Sequence, residues 1–160
     1  MVEKIMSQNQ FDPVFANEKT GEDLPLDDLS LDPLPLHQGG CHCGAVRFEF
    51  RSAVDLTVYH CNCSICSMQG FIHLIVPATK FKLISDKNKL STYLFNTEVA
   101  RHFFCQQCGV KSFYIPRSNP GGFSVNYRCV DQSTLGEVSF DNFDGDQWEA
   151  NASKLSHLSE

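Results

Sequence analysis

The segment GGCHCGAVRFEF, residues 39–50, indicates the fold most clearly. In it a Cys-x-Cys pair is followed by a glycine and then by an alternating apolar run. A second pair of cysteines occurs in FCQQCG, residues 104–109, and glycine again follows the second cysteine. Two sulfurs face one metal only if the chain reverses tightly. The residue after the second cysteine then often needs a positive φ, which glycine adopts at little steric cost. We therefore predict two zinc knuckles.

Together the knuckles supply four thiolates, from Cys41, Cys43, Cys105 and Cys108. Four sulfurs complete the tetrahedral coordination of a structural zinc site. Such a site would tie the first strand to a strand far along the chain, and it can contribute on the order of 10 kcal/mol to folding. The alternative is that these are reduced cysteines packed in a core without metal.

The middle cluster, HCNCSIC at residues 60–66, has a different pattern. Cys61, Cys63 and Cys66 offer three sulfurs, and no glycine follows until Gly70. Zinc sites with three protein ligands and an exchangeable fourth position are the catalytic type. A zinc held by three thiolates carries a formal charge of about −1, so it favours an incoming thiol, which loses its proton on binding. The cluster therefore predicts delivery of a thiolate to an electrophile.

A fourth protein ligand would close this site, and the candidates are Cys129, His60, His73 and His102. His60 precedes Cys61 and would point to the opposite face of a strand. His73 and His102 alternate with apolar residues and are predicted to be hydrogen-bonded strand residues. Cys129 is predicted to be a buried small side chain, although a redox enzyme on a related fold would use it as a nucleophile.

The acidic charge of the chain is concentrated near its first residue. The formal net charge is −6, and residues 1–37 hold eight acids and two bases, while the rest of the chain is balanced. We predict an acidic, disordered tail over 1–37, a zinc-binding domain over 38–150 and a C-terminal tail over 151–160. A neutral domain with an acidic tail is a poor partner for nucleic acid.

The sequence predicts neither a membrane span nor a secretory signal. No apolar run is long enough for a membrane span, and the first residues do not resemble a secretory signal. We therefore expect a cytoplasmic protein, with nuclear access left open, and no membrane partner. In a reducing compartment clustered cysteines are expected to bind metal rather than to form disulfides.

Short segments rich in β-branched and aromatic residues, separated by turn residues, predict a mainly β domain. The predicted strands are 45–50, 56–60, 71–77, 81–85, 91–96, 101–105, 111–116 and 123–128. Short helical turns are predicted at 63–69 and near 130–135, and a helix or coil is predicted from about Gln147.

The segments GGCHCGAVRFEF, VYHCNCSIC, LFNTEVARHFFCQQCGVKSFYIPRSNPGG and NYRCVD resemble the glutathione-dependent formaldehyde-activating enzyme family, which also contains centromere protein V. Within this family, the local sequence is most similar to that of the centromere protein V-like branch. The resemblance implies an Mss4-like, mainly antiparallel β fold stapled by zinc, with two Zn²⁺ per chain. It assigns the structural zinc to Cys41, Cys43, Cys105 and Cys108, and the catalytic zinc to Cys61, Cys63 and Cys66.

The resemblance also implies a carbon–sulfur lyase similar to S-(hydroxymethyl)glutathione synthase. Its partners would be glutathione or a similar small thiol, and formaldehyde or a related small electrophile. Two alternatives stay open: a non-catalytic, zinc-stabilised interaction module, and a redox enzyme on the same fold that uses Cys129. The acidic leader over 1–37 replaces the basic, proline-rich leader expected of a centromere protein, so the resemblance does not extend to that role.

Overall fold

The computed structural model describes Leu29 and residues 32–160. Within these residues lie ten strands and two short α-helices. The strands are β1 (Leu36–Gly40), β2 (Arg47–Arg51), β3 (Leu56–Cys61), β4 (Ile72–Pro77), β5 (Phe81–Leu83), β6 (Leu90–Tyr93), β7 (Arg101–Cys105), β8 (Phe113–Ile115), β9 (Gly122–Asn126) and β10 (Val138–Phe143). The α-helices are α1 (Ser64–Gln69) and α2 (Trp148–Asn151).

The strands form two sheets, which confirms the prediction of a mainly β fold. One sheet has three strands in the order β1-β2-β5, and the other has seven in the order β10-β3-β4-β9-β8-β7-β6. All neighbouring strands are antiparallel except β10, which runs parallel to β3. In the described part of the chain, no helix has the length and apolar character needed to cross a membrane.

Aromatic rings join the two sheets through the core. Phe81 of β5 packs on Phe48 of β2, with ring centroids 5.4 Å apart. The same ring lies 5.0 Å from Phe113 of β8 and 4.2 Å from Phe123 of β9, which belong to the other sheet. Burial of large aromatic side chains is strongly favourable. One face of the seven-stranded sheet is therefore held against the small sheet by aromatic contacts.

The other face of the seven-stranded sheet is polar although much of it is buried. Directly paired strand residues share a face, and the register pairs Tyr59 with His73 and Tyr114 with both Ser124 and His102. His73, His102 and Ser124 are all buried. Burying polar groups costs free energy unless they are hydrogen-bonded. The buried polar groups on this face are therefore expected to have hydrogen-bond partners.

All eight predicted strands are present, but β1 and β10 were not predicted. β1 contains two glycines, which are poor strand formers. They are needed because a Cβ on Gly39 would lie 2.5 Å from the carbonyl oxygen of Cys129, and one on Gly40 would lie 2.3 Å from that of Val46. β10 is mostly exposed, so its apolar alternation is weak.

The predicted helical turns correspond to α1 and to a 3₁₀ turn at Gln132–Thr134, while a further 3₁₀ turn at Tyr127–Cys129 begins within the predicted strand 123–128. The acidic tail lies mainly outside the described residues, and its last two positions, Leu36 and His37, belong to β1. Residues 151–160, named above as a C-terminal tail, pack against the domain, where Leu155 is buried.

Candidate metal centres and active site

The four cysteines of the two knuckles converge on one point, and we call them the four-cysteine cluster. The sulfurs of Cys41, Cys43, Cys105 and Cys108 all lie within 4.8 Å of one another. The Cys41–Cys43 and Cys43–Cys105 sulfur distances are 3.5 and 3.6 Å. Sulfurs about 2.3 Å from a tetrahedral zinc lie about 3.8 Å apart. The donor set and its spacing therefore fit a closed zinc site.

Each knuckle is closed by the same backbone hydrogen bond although the cysteine spacings differ. The N–H of Gly44 donates to the carbonyl of Cys41 at 3.1 Å, and that of Gly109 donates to Cys105 at 2.8 Å. The two glycines have φ values of 78° and 74°. Other side chains are strained in this left-handed region, whereas glycine is not. Glycine after the second cysteine is thus the residue that lets each pair of sulfurs face inward.

Backbone N–H groups also support the sulfurs. Val46 N–H donates to the Cys41 sulfur at 3.3 Å, and Gln107 N–H donates to the Cys105 sulfur at 3.4 Å. These hydrogen bonds help to hold the two sulfurs in position. Cys41 follows β1 and Cys105 ends β7, so the four-cysteine cluster connects the small sheet to the large one.

Three of the remaining four cysteines form a second group on the polar face, which we call the three-cysteine cluster. Cys61 ends β3, Cys63 precedes the first turn of α1, and Cys66 lies within α1. Their sulfurs also lie within 4.8 Å of one another. Residues three apart at a helix start share a side of the helix, so the C-x-x-C spacing brings Cys63 and Cys66 together. The helix then ends at Gly70, which has a φ of 59°.

Within the described residues, this cluster includes no fourth His, Cys, Asp or Glu. His60 stacks on Phe140 with ring centroids 5.5 Å apart. Burial raises the pKa of Cys129 to about 11, with a further increase from the charges of Cys41 and Cys108. An activated thiol needs a lowered pKa, so the surroundings of Cys129 do not favour a nucleophilic role.

A small cavity lies beside Cys61 on the polar face. Its volume is about 20 Å³, which is room for about one water-sized group. The lining residues are Tyr59, Cys61, His73, Ile75, Tyr114, Pro116, Ser118, Phe143, Trp148 and Leu155. Most of these side chains are apolar or aromatic. The cavity can therefore hold a small reactant and exclude bulk water from it.

His73 is the imidazole that lines this cavity, and only one of its nitrogens is paired. Its Nδ1 lies 3.0 Å from the hydroxyl of Ser124 and 3.4 Å from that of Tyr114. Its Nε2 is buried without a hydrogen-bond partner among the described residues. Burial, reinforced by the charge of Lys111, lowers the pKa of His73 to about 3, so the ring is neutral. Both hydroxyls can donate to Nδ1, and in that tautomer the ring proton is on Nε2.

Lys111 brings an ammonium group into the same region and is only 6% exposed. Its Nζ lies 4.1 Å from the ring centroid of Tyr114 and 4.7 Å from that of Phe71. Burial lowers the pKa of Lys111 to about 8, while negative charge on Cys66 and Cys63 raises it. The ammonium group thus lies within the electrostatic influence of the three-cysteine cluster.

His102 connects Lys111 to the aromatic residues of the polar face. The Lys111 ammonium donates to His102 Nδ1 at 2.7 Å, and the His102 ring stacks on Tyr114 with centroids 4.9 Å apart. Burial, followed by the charge of Lys111, lowers the pKa of His102 to about 3. The neutral ring accepts at Nδ1 and therefore carries its proton on Nε2.

The loop after β10 covers the three-cysteine cluster. The Asn62 side-chain amide donates to Asp144 at 2.8 Å, and the N–H of Asp146 donates back to the Asn62 side-chain oxygen at 3.1 Å. Between these contacts, a Cβ on Gly145 would lie 2.4 Å from the Cys61 sulfur. Only glycine fits there without displacing the sulfur.

Sequence reasoning found the seven clustered cysteines but missed four residues that surround the three-cysteine cluster. They are Lys111, Asn62, Gly145 and Trp148. Of these four residues, Lys111 is the one that the sequence could have indicated, because it is a charged residue directly before the apolar run SFYI. Asn62 lies between two of the cysteines themselves, and Gly145 and Trp148 follow β10, a strand that the sequence pattern did not reveal.

Comparison with known proteins agrees with this geometry. The model of the family described as glutathione-dependent formaldehyde-activating enzyme matches residues 36–144. A crystal structure of a Rhodobacter sphaeroides protein is 32% identical over 64% of this chain and 98% of that chain, with a TM-score of 0.54. The centromere protein V-like branch stays a prediction. The chain belongs to the glutathione-dependent formaldehyde-activating enzyme family.

Proposed function

We propose that this protein is a zinc-dependent carbon–sulfur lyase that joins the thiol of glutathione, or of a similar small thiol, to formaldehyde or another small aldehyde, and catalyses the reverse reaction. The observation that carries the proposal is the three-cysteine cluster, which has no fourth side-chain ligand among the described residues and borders a small cavity. Family membership supports the same reaction class.

The two donor sets suit two different zinc sites. Cys41, Cys43, Cys105 and Cys108 would hold a structural ion through four sulfurs. Cys61, Cys63 and Cys66 would hold the second ion. When bound there, zinc would supply a coordination position for the substrate thiol and lower the pKa of that thiol.

The proposed reaction needs no oxidant or reductant. The thiol releases its proton, and its sulfur forms a bond to the aldehyde carbon. The π electrons of the C=O bond move onto the oxygen, which takes up a proton to give the hydroxymethyl thioether. The protein contributes chiefly by holding the two reactants together and by stabilising the negative charge that develops on oxygen.

Two buried side chains have the chemistry for that charge stabilisation. The Nε2–H of His73 lacks a protein partner among the described residues and belongs to the cavity wall, so it can donate to the aldehyde oxygen. The Lys111 ammonium offsets the negative charge of the three thiolates. Phe143 and Ile75 keep the reacting atoms away from bulk water.

Cobalt substitution tests whether the three-cysteine cluster accepts a thiol. Titrating glutathione into the cobalt protein should change the sulfur-to-cobalt absorption bands, whereas S-methylglutathione, which has no free thiol, should not change them. The Cys63→Ser variant keeps the four-cysteine cluster and should show no response. An unchanged wild-type spectrum at saturating glutathione would instead favour a non-catalytic, zinc-stabilised interaction module.

A further inference from the structure

The C-terminal part of the chain closes the cavity next to the three-cysteine cluster. The family match ends at residue 144, and the described chain continues through α2 and two 3₁₀ turns, Ala152–Lys154 and Ser156–Ser159. We call residues 145–160 the C-terminal segment. Two of its side chains, Trp148 and Leu155, line the cavity.

A buried asparagine fixes the end of this segment to the sheet. The Asn119 side chain is fully buried, and its amide donates to the carbonyls of Leu155 at 2.8 Å and Ser156 at 3.2 Å. The same amide lies 3.0 Å from the hydroxyl of Ser159. A Cβ on Gly122 would meet the Ser159 side chain at 2.7 Å, so the two parts of the chain are in close contact.

Separate contacts fix the orientation of Trp148. The guanidinium carbon of Arg117 lies 4.7 Å from the centre of the indole ring. Arg117 also donates to the Glu149 carboxylate at 2.8 Å, which holds the guanidinium group in place. On its other side the indole meets Phe143 edge-on, with ring centroids 6.0 Å apart.

The residues that line the cavity come from two different parts of the fold. Tyr59, His73, Ile75 and Tyr114 belong to strands of the seven-stranded sheet. Trp148 is contributed by α2 of the C-terminal segment and is partly exposed to solvent. Because the cavity has only about 20 Å³ of space, further carbons on a bound aldehyde would meet its walls, and the indole is one of these walls.

We propose that Trp148 determines the size of the aldehyde that this protein accepts, with the C-terminal segment holding the indole across the cavity from the strands. The inference rests on the proposed carbon–sulfur lyase activity and adds a specificity-determining residue to it. Trp148 takes no part in the bond changes and acts by excluding longer aldehydes.

The test compares aldehyde preference in three variants. The rates of exchange between glutathione and formaldehyde, acetaldehyde or propanal are measured by NMR exchange spectroscopy for wild type, Trp148→Ala and Trp148→Phe. Phe140→Ala serves as a matched control, since it also removes an aromatic ring and Phe140 is half exposed on β10, outside the cavity lining. Thermal unfolding of each variant checks that the fold is kept.

Trp148→Ala should raise the propanal-to-formaldehyde ratio of kcat/KM by about tenfold, the usual effect of a change in pocket size. Trp148→Phe and Phe140→Ala should stay near the wild-type ratio. An active wild type whose ratio is unchanged in Trp148→Ala would overturn this inference alone. A wild-type protein that accelerates exchange with none of the aldehydes would overturn both this inference and the proposed function.

A second measurement does not depend on activity. Trp148 is the sole tryptophan of the chain, so its fluorescence reports directly on this wall of the cavity. Cobalt bound at the three-cysteine cluster should quench the indole strongly in wild type and only weakly in Cys63→Ser. Equal quenching in the two proteins would place Trp148 away from the cluster and would also overturn the inference.

Discussion

Lys111 holds a positive charge inside the protein at a considerable energetic penalty. Burial of an unpaired ammonium group costs several kcal/mol unless other groups offset it. Here the offset comes from two aromatic faces, from the Nδ1 of His102 and from the negative charge of the three-cysteine cluster.

Replacing Lys111 by Met should separate activity from stability. The change removes the ammonium group and keeps a side chain of similar length, so we expect thermal stability to be unchanged or higher by about 1–4 kcal/mol. Loss of the positive charge that offsets the three thiolates should reduce kcat/KM by about 10²–10³-fold. Glutathione exchange kinetics and chemical denaturation measure the two effects. Equal losses of activity and stability would contradict this role.

The difference in stability between the wild-type protein and Lys111→Met should depend on pH. The pKa of Lys111 is lowered from 10.5 to about 8 by burial. Between these values the unfolded chain binds a proton that the folded chain has released, so the Lys111 contribution to stability rises with pH. The advantage of Lys111→Met should therefore be largest below pH 8 and should disappear towards pH 10.5. Denaturation of both proteins across this range measures it.

A side chain at position 145 should not be tolerated, because Gly145 lies directly against the Cys61 sulfur. A Cβ there would lie 2.4 Å from the Cys61 sulfur and 3.1 Å from the Cys63 Cβ. Gly145→Ala should displace the Cys61 sulfur and lower zinc content from about two ions per chain to about one. The matched control is Gly121→Ala, where a Cβ meets nothing within 4 Å. Metal analysis of both variants tests this, and full zinc content in Gly145→Ala would refute it.

At the scale of elements, the knuckles act as connectors between sheets. Each is a tight turn that ends in a glycine with positive φ, and together they bring the end of β1 to the end of β7. The sequence predicted these turns because their chemistry is local to a few residues. β1 was missed because it contains two glycines, which are poor strand formers. β10 was missed because it is mostly exposed and pairs with a strand far away in the sequence, Leu56–Cys61.

Loss of one knuckle cysteine should therefore affect folding more than loss of a cysteine from the three-cysteine cluster. Cys105→Ser breaks the connection between the sheets and should remove much of the roughly 10 kcal/mol that a structural zinc can supply. Cys63→Ser should retain the fold with about one zinc per chain instead of about two. Zinc analysis with parallel unfolding curves distinguishes the two variants. Equal destabilisation by both substitutions would mean that the clusters do not have separate roles.

At the scale of the whole molecule, the seven-stranded sheet has one cysteine cluster on each of its two faces. Cys41 and Cys105 belong to the hydrophobic core, which faces the small sheet. Cys61 belongs to the opposite face, with His73 and the C-terminal segment. The sequence revealed the metal ligands because they cluster locally. It could not place His73, Lys111 and Trp148 together, since only strand pairing and the fold of the C-terminal segment do so.

The placement of the two cysteine clusters on opposite faces of one sheet also affects how such a protein can evolve. Substitutions that erase Cys61, Cys63 or Cys66 leave the connection between the sheets intact. A duplicated gene that loses these cysteines is therefore expected to encode a chain that keeps its four-cysteine cluster and its core. Erasing a knuckle offers no comparable route, because selection would remove the misfolded product first.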